Sequence, residues 1–156
     1  MSQITPQQLI PYPYSAYDYE PDFFISRKDS SFLAAAAKLA QTSDNRFKMA
    51  CIAVRGGSVL GTDINVTKTH PTTPPNRFST HAEIGAMRAC SDPSGTTLYI
   101  ARLKLDSSTA IARPCSWCVQ QIQNNDVYRV VYTTDSDTPE SFYISSVKWN
   151  YHVFEA

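Results

Sequence analysis

The element order α-β-β-α-β-α-β, followed by an undecided end, predicts an α/β protein built as a three-layer α/β/α sandwich. Three observations carry this expectation. Phe32, Ala35, Ala36 and Leu39 recur at three- and four-residue steps, the spacing of one helix face. Gly56-Gly57 separates two strand-like runs, and glycine tolerates the positive φ that a tight hairpin needs. Residues 127–133 are rich in β-branched and aromatic side chains, as strands are.

Along the chain, residues 1–28 stand apart as an extended N-terminal arm, and residues 29–156 form one domain. In the arm Pro6, Pro11, Pro13 and Pro21 interleave with Tyr12, Tyr14, Tyr17 and Tyr19. Proline fixes φ and removes a donor, so an extended path is expected. Such an arm packs its tyrosines on the body or on a second subunit, or else closes over a site. Asp29 or Ser30 can cap a helix starting near Ser31, and Thr42-Ser43-Asp44-Asn45 favours the turn that ends it.

Residues 49–54 and 58–64 read as the hairpin strands, with Cys51 a small buried hydrophobe. Residues 65–79 form a polar loop too long for a simple connection, and long ordered loops often line sites. A second helix begins at Thr80, with Ile84, Met87 and Arg88 on successive turns, and ends before the turn at residues 91–95. Cys90, at its end, reads as structural or semi-exposed. Residues 97–105 form a strand, 106–109 a polar turn, and 115–124 a helix with Cys118, Val119 and Ile122 inward. Residues 140–147 fit helix or strand, and 152–154 a closing strand.

With 156 residues the chain is one domain by length. Apolar residues make up 42% and charged residues 18%, the composition of a soluble globular protein. Fourteen basic residues balance fourteen acidic ones, which weighs against a long nucleic-acid substrate. No basic stretch followed by an apolar run opens the chain, and the longest apolar run, residues 32–37, is too short to span a bilayer. A reducing cytoplasm is the default, where a C-x-x-C signals metal or redox chemistry more than a structural bridge.

Two short stretches carry the chemistry: His81-Ala82-Glu83 and Pro114-Cys115-Ser116-Trp117-Cys118, thirty residues (84–113) apart. One imidazole and two thiolates suit Zn²⁺, and three protein ligands leave the fourth tetrahedral corner to water, as in a catalytic rather than a closed site. His81, Cys115 and Cys118 are therefore the expected metal ligands. Glu83 is not needed as a ligand, and a carboxylate there suits proton transfer. Cysteines in the first turn of a helix are favoured as thiolates by the helix dipole, and Pro114 is tolerated where no backbone donor is required. A redox C-x-x-C, or a structural zinc completed by His70 or His152, remains open on these residues alone.

The H-x-E … P-C-x-x-C pattern resembles that of the zinc-dependent cytidine/deoxycytidylate deaminase superfamily. The resemblance spans residues 30–133 and is sharpest at 81–86 and 114–118. It implies a mixed five-stranded sheet in the order 2-1-3-4-5 and one catalytic Zn²⁺, with Glu83 shuttling protons. It also implies that the backbone N–H of Ala82 meets the pyrimidine carbonyl, and that Asn65, in the segment 61–65, contacts the sugar. His81 as first ligand is similar to the deoxycytidylate, tRNA-adenosine and polynucleotide branches, whereas free-cytidine deaminases carry cysteine there. Lys68-Thr69-His70-Pro71 and Tyr132-Thr133-Thr134 look like small deoxycytidylate-type deaminases, often encoded by viruses.

The function so implied is hydrolysis of a cytosine-type free nucleotide, dCMP to dUMP plus ammonia, in the cytoplasm (a host's, if the source is viral). The partners implied are a small-molecule nucleotide and a second copy of the chain, with no membrane. One rival is deamination of cytosine or adenine within RNA or single-stranded DNA, where Trp117 and Phe78 could stack on a base. The other is a catalytically silent zinc-binding scaffold. A nucleotide phosphate needs cationic partners. Arg55, Lys68, Arg77, Arg102 and Arg113 are available, and sequence does not choose among them.

Overall fold

The computed structural model describes residues 9–11, 17–65, 81–149 and 151–153. Two short strands come first, β1 (Leu9–Pro11) and β2 (Tyr17–Asp18). Helix α1 (Arg27–Ala40) begins earlier than the expected Ser31, because the cap is Ser26 and not Asp29 or Ser30. Ser26 Oγ accepts from the Asp29 N–H at 3.1 Å, and Asp29 Oδ2 accepts from the Ser26 N–H at 3.0 Å. This reciprocal capping box satisfies two orphan donors at once. The buried face also differs from the expected one: Leu33, Ala36 and Ala40 point inward against the sheet, while Ala35 is exposed.

The central hairpin follows as β3 (Lys48–Arg55) and β4 (Ser58–Ile64), joined at Gly56 (φ +60°) and Gly57 (φ +79°). Left-handed backbone at both turn positions matches the twist of the flanking strands, which explains the glycine pair. Next come α2 (Ala82–Ala89), β5 (Thr97–Leu103), a two-residue β6 (Thr109–Ala110), α3 (Ser116–Asn124) and β7 (Arg129–Tyr132). The segment that fitted helix or strand is β8 (Glu140–Tyr143), followed by a 3₁₀ turn at Ile144–Ser146. Two short strands close the chain, β9 (Lys148–Trp149) and β10 (Tyr151–Val153).

The main sheet runs β4-β3-β5-β7-β8, with β5 and β7 parallel and the other pairs antiparallel. Counted along the chain, those five strands have the expected order 2-1-3-4-5. The sequence did not foretell β6, which pairs with the end of β5, or the two ribbons β1-β10 and β2-β9. These ribbons bring the two ends of the chain together.

Side chains alternate across each strand, so the sheet has two apolar faces. Ile52, Val54, Tyr99, Ala101 and Val131 pack with Leu33 and Ala36 of α1. Cys51, Ala53, Leu98, Ile100, Val130 and Tyr132 pack beneath α2 and α3 on the other face. Helix α2 lies close on β4 because Gly61 has no side chain: a Cβ there would overlap the backbone oxygen of Ala86. Cys90, buried in this layer, gives its thiol to Ala86 O at 3.3 Å, and all four cysteines are free.

One ion pair is buried on the α1 side. Arg129 Nη1 donates to Asp29 Oδ1 and Oδ2 at 3.1 and 3.0 Å, and the Tyr99 hydroxyl donates to Oδ1 at 2.7 Å. Burial alone would raise the Asp29 pKa. Hydrogen bonds from Tyr99, the Ser26 N–H and Arg129 hold it below the ordinary 3.8 instead. No helix among the described residues is long and apolar enough to cross a membrane.

Candidate active site

Two helix starts meet on the second sheet face. His81 is the N-cap of α2 and Cys115 the N-cap of α3, each in extended backbone just before its helix. Neither side chain caps its own helix, so both are free to point across the gap. Cys118 follows within the first turn of α3, fully buried. One ligand atom from each of His81, Cys115 and Cys118 lies within 4.8 Å of the other two. His81 Nδ1 is 3.0 Å from Cys118 Sγ and 4.0 Å from Cys115 Sγ. A tetrahedral zinc with ordinary bond lengths needs donor atoms roughly 3.5–4 Å apart; the 4.0 Å pair meets that, and the 3.0 Å pair has to open by about half an ångström around the ion.

Glu83 completes the arrangement. It is 1% exposed, and its Oε2 has no hydrogen-bond partner among the described residues. A buried carboxylate oxygen left unpaired is costly unless a ligand or water meets it. Here the carboxylate lines one cavity with His81 and Cys115, which fits a site made to hold a metal and a polar substrate. Burial pushes the Glu83 pKa up, opposed by the His81 imidazole. Hydrogen bonding from Cys118 pulls the Cys115 thiol down to about 4 against the effect of burial, and His81 adds to the pull. Such a thiol is a thiolate at neutral pH, the form that binds metal.

The cavity has a volume of about 530 Å³ and is also lined by Met49, Arg102 and Arg113. That lies within the roughly 300–1,000 Å³ of small-molecule sites. Ala82, fully buried, is the first residue of α2, and the first helical hydrogen bond runs from the Gly85 N–H to His81 O. The Ala82 N–H is therefore among those the helix itself does not satisfy.

Asn65 does not line the cavity. Its Oδ1 accepts from Ser43 Oγ and from the Met49 N–H, both at 2.8 Å, and its Nδ2 donates to Phe47 O. The amide ties the start of β3 to the end of β4, next to the cavity residue Met49. Trp117 sets its ring edge-on to His81, with centroids 5.6 Å apart. Arg55 donates to the carbonyls of Asp92 and Ser94, away from the site. Lys68, His70, Arg77 and Phe78 lie outside the described residues, as does the side chain of His152.

Sequence reasoning missed how the metal loop is held. The Tyr17 hydroxyl donates to the carbonyl oxygen of Pro114, directly before Cys115. Arg113 donates from Nε to the Tyr17 hydroxyl at 3.1 Å and from Nη2 to Tyr17 O at 3.0 Å, with its guanidinium 4.5 Å from the ring centroid. Tyr17 is fully buried in the core under α2 and α3. The available signal was an arginine immediately before the Pro-Cys, opposite a chain end dense in tyrosines.

The described family "cytidine and deoxycytidylate deaminase zinc-binding region" matches residues 26–134. Two solved structures are similar in fold. A dCMP deaminase from the cyanophage S-TIM5 is 23% identical, covers 70% of this chain and 83% of its own, and superposes with a TM-score of 0.54. A cytidine deaminase from Burkholderia pseudomallei is 16% identical over 74% of this chain and 92% of its own, with a TM-score of 0.57. No curated protein matches the sequence. With its family region running from the cap of α1 past β7 and enclosing all three candidate zinc ligands and Glu83, the chain belongs to the cytidine and deoxycytidylate deaminase family.

Proposed function

We propose that the protein hydrolyses the exocyclic amino group from a cytosine base on a free nucleotide, with dCMP as substrate and dUMP and ammonia as products. The buried carboxylate of Glu83, its Oε2 without a partner among the described residues, beside the His81, Cys115 and Cys118 donors is the observation that carries this reading. A silent zinc scaffold has no physical need for a carboxylate desolvated in that position.

His81, Cys115 and Cys118 would hold Zn²⁺, which supplies Lewis acidity that makes water a competent nucleophile at neutral pH. Glu83 takes a proton from that water and returns it to the ring nitrogen. With the water oxygen now bonded to C4, Glu83 takes the remaining hydroxyl proton and passes it to the amino group, and the C4–N bond breaks as the C4 carbonyl forms and ammonia leaves. The Ala82 N–H is assigned to the pyrimidine carbonyl. Asn65 already has three partners, and the remaining N–H of its amide is the group it can offer a sugar hydroxyl.

The choice of dCMP draws support from the cyanophage neighbour, a dCMP deaminase whose structure holds dCMP and dUMP. We place the activity among free nucleotides in the cytoplasm. The test is to load the purified chain with zinc and measure ammonia from cytidine, deoxycytidine, their monophosphates and cytosine-containing oligonucleotides. The reading expects the fastest release from dCMP. No ammonia from any of them would overturn it, and so would activity confined to oligonucleotides and falling steeply with salt.

A further inference from the structure

Strand β5 presents Leu98 and Ile100 to the layer beneath α2 and α3, and the next residue on that face is Arg102. Two-residue alternation calls for another apolar side chain there. The arginine instead sits half-buried beside its register partner Met49, and both line the candidate active-site cavity. The Arg102 guanidinium lies 5.2 Å from the ring centroid of Phe47, which Arg46 approaches from 5.8 Å. Arg102 and Ile111 also line a second cavity of about 650 Å³, with Arg46 and Phe47 in its wall, so Arg102 borders both spaces.

Arg102 and Arg113 thus line the candidate active-site cavity, and Arg102 and Arg46 line its neighbour. Among the described residues the ion pairs are Lys104–Asp135 and Arg129–Asp29, and none of Arg46, Arg102 and Arg113 has an acidic partner. Arg113 is fixed by its two bonds to Tyr17, through Nε and Nη2, which leaves Nη1 for another acceptor. A cleft lined by charge of one sign draws in a counter-ion. The planar guanidinium fork matches phosphate oxygens.

We propose that Arg102, seconded by Arg113, forms an anion subsite that makes this cavity select a phosphorylated nucleoside over the bare nucleoside. Arg102 is the specificity-determining residue, held in place by the Phe47 ring. The proposal rests on the deaminase reading, and it names the part of the substrate that reading leaves unrecognised.

The experiment uses the zinc-loaded full chain and compares kcat/KM for dCMP with that for deoxycytidine in the wild type, Arg102→Gln and Arg102→Lys. Binding of the products dUMP and deoxyuridine is titrated alongside, and thermal unfolding checks that each variant is folded. The wild type should prefer dCMP, and Arg102→Gln should lower the dCMP-to-deoxycytidine ratio about 10- to 100-fold, the worth of a charge-assisted hydrogen bond. Arg102→Lys, which keeps the charge and the stem, should lower it less, and dUMP binding should weaken more than deoxyuridine binding. A ratio unchanged within twofold in folded Arg102→Gln overturns the proposal, as does a wild type indifferent to phosphate, and both leave the deaminase reading standing. A wild type that releases ammonia from neither compound removes both.

Discussion

The Tyr17 hydroxyl and the Pro114 carbonyl oxygen, 97 positions apart in the chain, are joined by a buried hydrogen bond. Through it the N-terminal segment holds the peptide immediately before the first cysteine of the metal loop. The same tyrosine receives the Arg113 N–H, and its strand pairs with Lys148–Trp149 near the other end of the chain. The ribbon β2-β9 is thereby connected to the candidate metal centre.

Tyr17→Phe keeps the ring and removes that hydroxyl. Leaving the Pro114 carbonyl without its partner should destabilise the fold by about 1–3 kcal/mol. Outer-shell support of this kind also tunes metal sites, so zinc affinity should fall about 10- to 100-fold. Urea unfolding and a competitive zinc titration measure the two effects separately. An unchanged zinc affinity would show that the strap holds the fold without holding the ligand loop.

Gly61→Ala places a methyl group against the Ala86 backbone oxygen, with the Cys90 thiol 2.9 Å away. Backbone cannot swing aside as a long side chain can, so α2 must shift off β4. Overpacking of this kind costs about 1–3 kcal/mol. Because α2 carries Glu83, turnover should fall as well. Denaturant midpoints together with ammonia release test this, and a variant as stable and active as the wild type would refute the close-approach explanation.

Asp29→Asn breaks the buried pair with Arg129. Stranding one member of such a pair costs about 3–5 kcal/mol. The pH dependence has a definite sign, since the folded-state pKa of Asp29 is held below the ordinary 3.8. The contribution of the carboxylate is fully present above the unfolded value and is lost as the pH falls through the folded one. Urea midpoints of wild type and variant should differ most near neutrality and converge in acid. A gap independent of pH would assign the effect to shape and not to charge.

Glu83→Gln keeps the size of the side chain and removes its basicity. It should retain one equivalent of zinc and lower ammonia release by about 10²–10⁴, the range of general acid–base contributions. Atomic absorption and an ammonia assay on the same sample check it. Turnover within a few fold of wild type would end the proton-shuttle assignment.

The parts of this molecule that were legible in its sequence are those that one residue or one period dictates. Gly56-Gly57 encodes a left-handed turn, and the alternation in β3 encodes two apolar faces. The pairing of H-x-E with P-C-x-x-C marks His81, Cys115 and Cys118 as one cluster, and the fold brings their ligand atoms within 4.8 Å of one another. What escaped depended on distant partners. The start of α1 was misplaced because Asp29 and Ser30 also look like caps, and only the reciprocal bond with Asp29 distinguishes Ser26. The ribbons β1-β10 and β2-β9 are too short to show a period, so pairing between the chain ends left no local trace. Arg102 reads as an ordinary surface charge until the strand's faces are known.

The central claim, that His81, Cys115 and Cys118 together hold one zinc ion, is tested most directly by metal content across a cysteine and histidine series. His81→Ala, Cys115→Ala and Cys118→Ala should each lose the zinc, while Cys51→Ala and Cys90→Ala, buried thiols outside the cluster, should each keep one equivalent. Zinc retained in full by Cys118→Ala, or lost from Cys90→Ala, would contradict the account.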